Sequence, residues 1–375
     1  MNKKYKLGIF SNFSYPSIGG TEAVLRAVAE SMFFKYNFDV TICAHNVVNN
    51  VNLNGIYYER CQKGKNLIDR INDFDHIFIY SDSFWGWPDV LNSIDKIKPR
   101  ITIALVGMYH MMDHPSDFEI FKKNSKKINV ITHFKEYQDY KKCFDNQIPI
   151  TVIPNGVDID EFNKPKIKFR EKYNIKTDNL LINVSNFFYG KGQEYLADIG
   201  QELKNIRCRY GNEDFTIVSI SNSVKYPYES LFMERCRNNF KNKDFPYLFL
   251  RNIKREDVIA AFCSCNIFVF PSRKEVFPIV ILEAMAASTP WISMDVGNVG
   301  YLEGGIAMCN PKVDKKGYKI IDKDMIISYA KNINGILDMY DPPCELGSEG
   351  NDIVEKYYQW DNITEKYYNI FLRDK

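Results

Sequence analysis

The fold is indicated most clearly by residues 266–294, NIFVFPSRKEVFPIVILEAMAASTPWISM. The segments NIFVF and WISM at its two ends are short apolar runs, which are typical of buried strands. The segment PIVILEAMAAS between them predicts a helix, and its proline suits the first helical position because no N–H is needed there. A strand, a helix and a second strand in this order predict a βαβ unit with parallel strands.

The same alternation of strands and helices extends along most of the chain of 375 residues. Because this length exceeds what one hydrophobic core usually serves, two domains are expected. Parallel sheets with helices on both faces bind ligands beyond the carboxyl ends of their strands. The sequence therefore predicts an α/β fold with two doubly wound, Rossmann-like domains facing a cleft. The predicted strands cover residues 5–10, 39–45, 76–80, 101–106, 129–132, 151–154, 180–185, 215–220, 247–250, 266–270 and 291–294.

The domain boundary is predicted at residues 155–170, a polar stretch that contains Gly156 and Pro165. This stretch places residues 1–165 in a first domain and residues 166–359 in a second. The closing segment is rich in aromatic residues and helical in period, so residues 360–375 are expected to pack back on the first domain.

The overall composition excludes several classes of protein. The formal net charge is +2, which predicts no general affinity for nucleic acid. Nine cysteines without a CxxC pair, in a chain too large to need disulfides, favour a reducing, cytoplasmic setting. No apolar segment reaches the length of about 18 residues that a membrane span needs. The lysines of KKNSKK at 122–127, with Lys141 and Lys142, leave two alternatives: peripheral contact with anionic lipid, or solvated helix faces.

Glycines and a lysine stand where parallel-sheet proteins bind phosphate. Gly19 and Gly20 precede the first helix, where free backbone N–H groups favour an anion. The alternative for this pair is a tight turn with Thr21 as the N-cap. Lys191 lies between two glycines, just after a strand and before a helix. Its ammonium group is suited to neutralising a diphosphate, although lysines at helix starts are often simply solvated.

Glu275 and Glu283 lie on either side of Pro278. A fully helical spacing would separate the two carboxylates by about 12 Å, whereas a glycosidase acid pair needs about 5 to 9.5 Å. Because Pro278 places Glu275 in a loop and Glu283 in a helix, two separate tasks are predicted. A carboxylate accepts two hydrogen bonds from vicinal hydroxyls, which suits one glutamate to a sugar ring and the other to a ribose. The N–H groups at the helix start predict an anion site between them.

Four segments together resemble the family-4 retaining glycosyltransferases of GT-B fold: VIPNGVDIDEF, GKGQEYL, VFPSRKEVFPIVILEAMAASTPWISMDVGN and YYQWDNITEKYY. The resemblance extends over most of the chain and is strongest in residues 150–300, where two glutamates separated by seven residues are the family's most specific mark. It implies a nucleoside-diphosphate sugar of UDP or GDP type as donor, a hydroxyl acceptor, and catalysis without a cofactor or bound metal. The first domain would then bind the acceptor and the second the nucleotide sugar.

The resemblance also implies roles for individual residues. Glu275 would contact the hydroxyls of the donor sugar, Glu283 the ribose, and Lys191 the diphosphate. A catalytic histidine is implied after a strand of the first domain, where His110 is preferred to His114; the alternative is that this loop histidine is structural. The implied donor-binding residues are Gly19, Gly20, Asn186, Lys191, Glu275, Val276, Phe277, Pro278, Ile279, Val280 and Glu283.

Two positions depart from the family pattern. Pro278 stands where the family usually has glycine, and it removes one N–H contact to the phosphate or sugar. Asn186 stands where an arginine usually partners the lysine. The diphosphate is therefore expected to depend more on Lys191, on Arg273 or Lys274, or on helix dipoles.

Aromatic residues near two strand ends are predicted to bind the acceptor. Phe84, Trp85 and Trp87 follow the strand at 76–80, and Tyr109 follows the strand at 101–106. Flat rings suit the apolar face of a pyranose. The alternative for the three residues after the first of these strands is that they cap the core beneath their loop.

The residues and the resemblance together predict a cytoplasmic, retaining and metal-independent glycosyltransferase in glycan, polysaccharide or glycolipid synthesis. Its partners would be a nucleotide sugar and a hydroxyl acceptor such as a sugar, glycolipid or glycan. Two alternatives stay open: a nucleotide-sugar-binding module that has lost catalysis, motivated by Asn186 and Pro278, and a nucleotide-sugar epimerase of the same two-domain form. No oligomeric state is predicted.

Overall fold

The structure is a computed structural model that describes residues 4–12, 14, 19–80, 84, 86–106, 115–211, 214–221, 227–339 and 345–372. The chain forms two compact units. The first comprises Met1–Gly156 together with Trp360–Lys375, and the second comprises Val157–Gln359.

The first unit is built on an eight-stranded sheet in the order β3-β4-β2-β1-β5-β6-β7-β8. Its strands are β1 Lys6–Ser11, β2 Asp39–Ala44, β3 Val51–Leu53, β4 Ile56–Arg60, β5 His76–Tyr80, β6 Arg100–Ala104, β7 Ile128–Thr132 and β8 Ile150–Val152. Every pairing is parallel except that of β3 with β4. Its helices in this part of the chain are α1 Gly20–Phe34, α2 Lys65–Ile71, α3 Trp87–Asn92, α4 Pro115–Lys123 and α5 Tyr137–Cys143.

The second unit is built on a six-stranded parallel sheet in the order β11-β10-β9-β12-β13-β14. Its strands are β9 Asn179–Val184, β10 Phe215–Ser221, β11 Tyr247–Arg251, β12 Ile267–Phe270, β13 Trp291–Met294 and β14 Gly305–Met308. Its helices are α6 Phe169–Lys172, α7 Leu196–Arg207, α8 Pro227–Phe240, α9 Arg255–Ser264, α10 Ile279–Ala286, α11 Lys323–Asp338 and α12 Glu345–Ile353. The strand order is that of a Rossmann sheet. Successive strands are added on one side of β9 as far as β11 and then on its other side from β12 to β14, so the strand order reverses between β9 and β12.

The closing helix α13, Trp360–Phe371, belongs to the first unit. The Ser31 hydroxyl of α1 donates a hydrogen bond of 2.8 Å to the Thr364 hydroxyl. The rings of Tyr36 and Tyr368 stack with their centroids 3.9 Å apart. Phe371 reaches the sheet, where its ring lies 5.8 Å from that of Phe78. The aromatic residues of this segment therefore bury their rings against α1 and β5.

The two units divide between Gly156 and Val157, within the predicted boundary stretch of residues 155–170. The first domain was expected to extend to residue 165, whereas residues 157–165 belong to the second unit. The Val157 N–H donates to the Tyr358 carbonyl at 2.8 Å, and the Phe162 ring packs edge-on against Phe262. These contacts hold residues 157–165 to the second unit, although their polar composition is typical of a linker.

Each predicted strand is present, but three further strands among the described residues escaped prediction. Two of them, β3 and β4, form a hairpin through Asn54 and Gly55, whose φ angles are 53° and 90°. The dipeptide Asn-Gly is the strongest local signal for such a turn. The third, β14, is short and begins with Gly305, which allows the Trp291 ring to approach its backbone. This close approach depends on tertiary packing, so the local pattern does not reveal it.

Two buried histidines make the stability of the first unit sensitive to acid. His133 follows β7, is 2% exposed, and its Nδ1 donates a hydrogen bond of 2.9 Å to the Ile153 carbonyl. Burial lowers the pKa of His133 to about 4, and that of His76 to about 3. Protons therefore bind more readily to the unfolded chain, where a histidine has its usual pKa of about 6.5.

The buried neutral histidine is therefore expected to make its whole contribution to the free energy of unfolding above pH 6.5. This contribution should be lost progressively as the pH drops from 6.5 to 4. His133 alone contributes up to about 3 kcal/mol to this loss. Urea titrations at several pH values measure it. His133→Asn keeps an N–H donor near the same position and should flatten the pH dependence, while replacement of the exposed His45 by Asn should leave it unchanged. An unchanged slope in His133→Asn would contradict this assignment.

Candidate active site at the carboxyl ends of β9 and β12

The carboxyl ends of β9 and β12 bring two predicted site residues together. The two strands are direct neighbours in the sheet, and the strand order reverses between them. Lys191 lies in the turn that follows β9, and Glu275 lies in the loop that follows β12. The crevice at such a reversal is where Rossmann-like sheets bind their ligands. The topology therefore places a lysine and a glutamate at the favoured ligand position of this unit.

The turn that carries Lys191 is held by backbone geometry and by one glutamine. Gly192 adopts a left-handed conformation with φ 68°. A Cβ at this position would collide with the carbonyl oxygen of Pro271. The Gln193 side chain is 1% exposed and donates to the Ser185 and Asn186 carbonyls, each at 3.1 Å. These contacts fix the turn against the loop after β12.

Gly192→Ala is expected to lower the free energy of unfolding by about 2 to 4 kcal/mol, because it adds a steric collision to an unfavourable φ. Gly211→Ala is the matched control, since Gly211 has nearly the same φ of 69° with open space around it. The control should lose only about 1 kcal/mol. Urea titrations of both variants measure the difference. Equal losses would show that crowding by Pro271 does not restrict this turn.

Lys191 and Glu275 form an ion pair. The Lys191 Nζ lies 2.6 Å from the Glu275 Oε1, and the Ser272 hydroxyl donates to the same oxygen at 2.5 Å. The side chains of the lysine and the glutamate are 28% and 11% exposed. The Lys191 ammonium also lies 5.9 Å from the centre of the Phe270 ring. A charge-assisted hydrogen bond between partly buried side chains is stronger than an ion pair exposed to solvent.

Arg273, which the sequence suggested as an additional diphosphate ligand, is engaged elsewhere. Its side chain is 3% exposed and bonds to the Lys319 carbonyl at 2.6 Å and to Asp314 at 3.0 Å. Its guanidinium also lies 4.5 Å from the centre of the Tyr189 ring. Arg273 therefore joins the Lys191 turn to the 310–320 segment. The Lys274 Nζ lies 5.3 Å from the centre of the Tyr318 ring.

Glu283 lies in α10 with a cation against it. The helix begins at Ile279 and Pro278 is its N-cap, one position earlier than its predicted place as the first helical residue. Glu283 is 8% exposed, and its Oε1 accepts a hydrogen bond of 2.5 Å from Arg255. Arg255 also contacts Glu161 at 2.6 Å. Burial raises the pKa of Glu283, and the charge of Arg255 partly offsets this effect.

The loop between Glu275 and α10 is supported by the segment that follows β13. The backbone N–H and the side-chain amide of Asn298 donate to the Val276 carbonyl at 2.7 and 3.0 Å. Gly297, with φ 58°, passes so close to the carbonyls of Glu275 and Val276 that a side chain would collide with them. Phe277 is buried and its ring lies 6.1 Å from that of Tyr358.

Four residues of this site were not among the predicted ones: Gln193, Arg255, Ser272 and Asn298. Ser272 lies two residues after one predicted strand and Asn298 four residues after another, beyond the strand ends where ligands bind. Their positions could therefore have drawn attention to them. Arg255 contacts a glutamate in another element of the unit, so no local pattern reveals it.

The remaining predicted residues of the second unit lie in the segments after β9 and β12 and at the start of α10. Asn186 is exposed in the turn after β9. Val276, Ile279 and Val280 are partly exposed, and Pro278 is buried. In any α-helix the first N–H groups lack partners within the helix. Ile279 and Val280 occupy those positions in α10.

In the first unit, Gly19 is the N-cap of α1 and Gly20 its first residue. The alternative with Thr21 as N-cap is thereby wrong. A Cβ at Gly19 would meet the Glu22 carboxylate at 2.7 Å, so an acidic group lies beside the proposed phosphate position. Whether this helix start binds an anion stays a prediction.

The predicted acceptor and membrane residues are only partly described. Phe84 is 2% exposed, and its ring packs edge-on against Phe10 and Trp87. This is the core-capping arrangement that the sequence left as the alternative. Lys122 contacts Asp145, and Lys127 donates to the Ile94 and Ile97 carbonyls, so both lysines have partners within the protein. Trp85, Tyr109, His110 and His114 lie outside the described residues.

The part of the chain that the structure describes contains no group of three or more His, Cys, Asp or Glu residues suited to a metal ion. In the same residues, no helix combines the length and the apolar character that crossing a membrane requires.

Comparison with solved structures identifies the class of fold. Sucrose-phosphate synthase from Thermosynechococcus elongatus superimposes with a TM-score of 0.73 at 16% sequence identity, covering 98% of each chain. The Anabaena protein HepE in complex with UDP-glucose gives a TM-score of 0.69 at 13% identity, covering 98% of this chain and 99% of that one. The chain thus has the α/β, two-domain GT-B fold of glycosyltransferases.

Sequence comparison finds similarity to glycosyltransferases, including a family-model match within the second unit. Residues 165–304 match the family model described as glycosyl transferases group 1. An uncharacterized glycosyltransferase of Methanocaldococcus jannaschii is 26% identical over 273 residues, which cover 70% of this chain and 62% of that relative. The match therefore spans less than two thirds of the relative's length. The candidate site from Lys191 to Asn298 lies within the segment that matches the family model.

Proposed function

We propose that the protein is a retaining glycosyltransferase that moves a sugar from a nucleoside-diphosphate donor to a hydroxyl acceptor. The observation that carries this proposal is the meeting of Lys191 and Glu275 at the reversal of strand order in the second sheet. The match of this segment to glycosyl transferases group 1 supports it. So does the fold shared with HepE, whose structure contains UDP-glucose.

The chemistry assigned to the site is electrostatic and positional. The Lys191 ammonium neutralises the charge that develops on the departing diphosphate, together with the first N–H groups of α10. Pro278 supplies no N–H, so Ile279 and Val280 are the donors that remain at this helix start. Glu275 accepts hydrogen bonds from the sugar hydroxyls and thereby holds the anomeric carbon in a reactive position.

Glu283 is assigned to the ribose. Arg255 orients the buried carboxylate and favours its ionised form, which offsets part of the rise in the pKa of Glu283 that burial causes. We assign retention of anomeric configuration to attack from the face that the diphosphate leaves, with a diphosphate oxygen accepting the acceptor proton. No protein nucleophile and no metal ion takes part in this scheme. The acceptor is a hydroxyl group of a sugar, glycolipid or glycan in the cytoplasm.

A donor screen tests this proposal. UDP and GDP sugars are first ranked by the rise in melting temperature that they cause, since a bound ligand stabilises in proportion to its occupancy. The best donor is then incubated with sugar and glycolipid acceptors, and the released nucleoside diphosphate and the anomeric configuration of the product are measured. Transfer with retention is expected. Binding without turnover would indicate a module that has lost catalysis, and an altered donor sugar would indicate an epimerase.

A further inference from the structure

The pairing of Lys191 with Glu275 has a consequence for the product of the proposed reaction. The proposed function assigns these two side chains to different parts of the donor, the diphosphate and the sugar. In the structure they bind each other, with 2.6 Å between the Lys191 Nζ and the Glu275 Oε1. A nucleoside diphosphate that enters this position must therefore share the ammonium group with a carboxylate.

The intact donor and the released product differ in how they meet this carboxylate. The sugar of the donor presents hydroxyl groups, which are good donors to an ionised carboxylate. After transfer the sugar is gone, and the terminal phosphate gains up to about one further negative charge, because its second pKa is about 6. Glu275 then has lost the sugar hydroxyls as partners and lies beside a more negative ligand, which it repels.

The surroundings of Glu275 keep its charge beside the lysine. The Ser272 hydroxyl donates to the same Oε1 at 2.5 Å. The backbone that carries the glutamate is held by the two hydrogen bonds from Asn298 to the Val276 carbonyl. With 11% of the glutamate side chain exposed, solvent screens the repulsion only weakly. The carboxylate is therefore placed to reclaim Lys191 as soon as the sugar leaves.

We infer that Glu275 promotes product release by competing with the nucleoside diphosphate for the Lys191 ammonium group. This inference rests on the proposed function and assigns the same site a second task. The site should bind the sugar-linked diphosphate in preference to the free diphosphate. Removal of the Glu275 charge should reverse that preference, because the lysine is then available to the product alone.

Binding of UDP and of UDP-glucose, with GDP and GDP-mannose as the alternative pair, tests this inference by calorimetry. Glu275→Gln preserves shape and removes the charge, and it should bind the free diphosphate about tenfold more tightly, a difference of about 1.4 kcal/mol. Its affinity for the sugar-linked form should not rise to the same extent. Glu355→Gln removes a charge from an exposed position of the same unit and should leave both affinities unchanged.

Lys191→Met identifies the group over which the ligands compete. It should weaken binding of the free diphosphate, and the double variant with Glu275→Gln should show a clearly smaller gain than Glu275→Gln alone. The inference is overturned if Glu275→Gln binds the diphosphate no more tightly than the wild type while Lys191→Met weakens it. In that case the proposed function still stands. If nucleotide binds but Lys191→Met changes neither affinity, the lysine is not the group for which the ligands compete, and the inference alone fails. If no nucleotide binds at all, the proposed function fails and the inference fails with it.

Discussion

Glu275→Ala is expected to lower the rate of sugar transfer by about 100-fold or more, because the donor sugar loses the carboxylate that orients its reacting carbon. The affinity for the free nucleoside diphosphate should not fall, since the substitution frees the Lys191 ammonium from its 2.6 Å contact with Glu275. Initial rates with the preferred donor, combined with calorimetry of the free diphosphate, measure the two effects separately. A residue that contacts only the donor sugar should affect the transfer rate without weakening the binding of the nucleoside diphosphate.

Two controls accompany this variant. Glu355→Ala alters an exposed glutamate of the same unit and should transfer sugar at the wild-type rate. Comparison of melting temperatures shows whether the loss of activity follows from unfolding. Full activity in folded Glu275→Ala would exclude Glu275 from the role of orienting the donor sugar.

Lys191→Met is expected to lower kcat/KM by about 100- to 1000-fold, the range found when one group that stabilises developing charge is removed. Unlike the change at Glu275, it should also weaken binding of the nucleoside diphosphate. The reason is that the same ammonium group meets the diphosphate before, during and after transfer. Steady-state rates at several donor concentrations, with calorimetry of the free diphosphate, measure both losses.

Lys176→Met is the matched control, because Lys176 is an exposed lysine of the same unit, before β9. It should retain wild-type rates and affinities. A folded Lys191→Met enzyme with an unchanged KM and kcat would show that the diphosphate is neutralised by another group. The N–H groups at the start of α10 would then be the next candidates.

Much of the second unit follows from local pattern. Strands β9 to β13 are apolar runs between polar turns, and a single parallel sheet is the arrangement that buries such runs on both faces. The two residues that matter most, Lys191 and Glu275, could be placed because each directly follows a strand. Their direct contact follows from the adjacency of β9 and β12 in the sheet, which the order of strands along the chain does not specify.

Arg273 shows where reasoning from residues alone falls short. A basic residue two positions before Glu275 is a reasonable phosphate ligand by position. Its actual partners, Lys319, Asp314 and Tyr189, come from segments that are distant in the chain. Long side chains bind whichever acceptor the packed fold brings within reach, and that acceptor cannot be located from local sequence. The same reason explains why Arg255 and its contact with Glu283 escaped prediction.

The periodicity of apolar residues was sufficient to specify two α/β domains, because strand and helix periods are properties of neighbouring residues. The motif around Pro278 was sufficient to separate a loop glutamate from a helical one, because proline constrains its own backbone. Packing alone decided that Lys191 binds Glu275, that Arg255 binds Glu283, and that residues 157–165 join the second unit. These contacts join elements that are far apart along the chain, so they exist only once the second unit has folded.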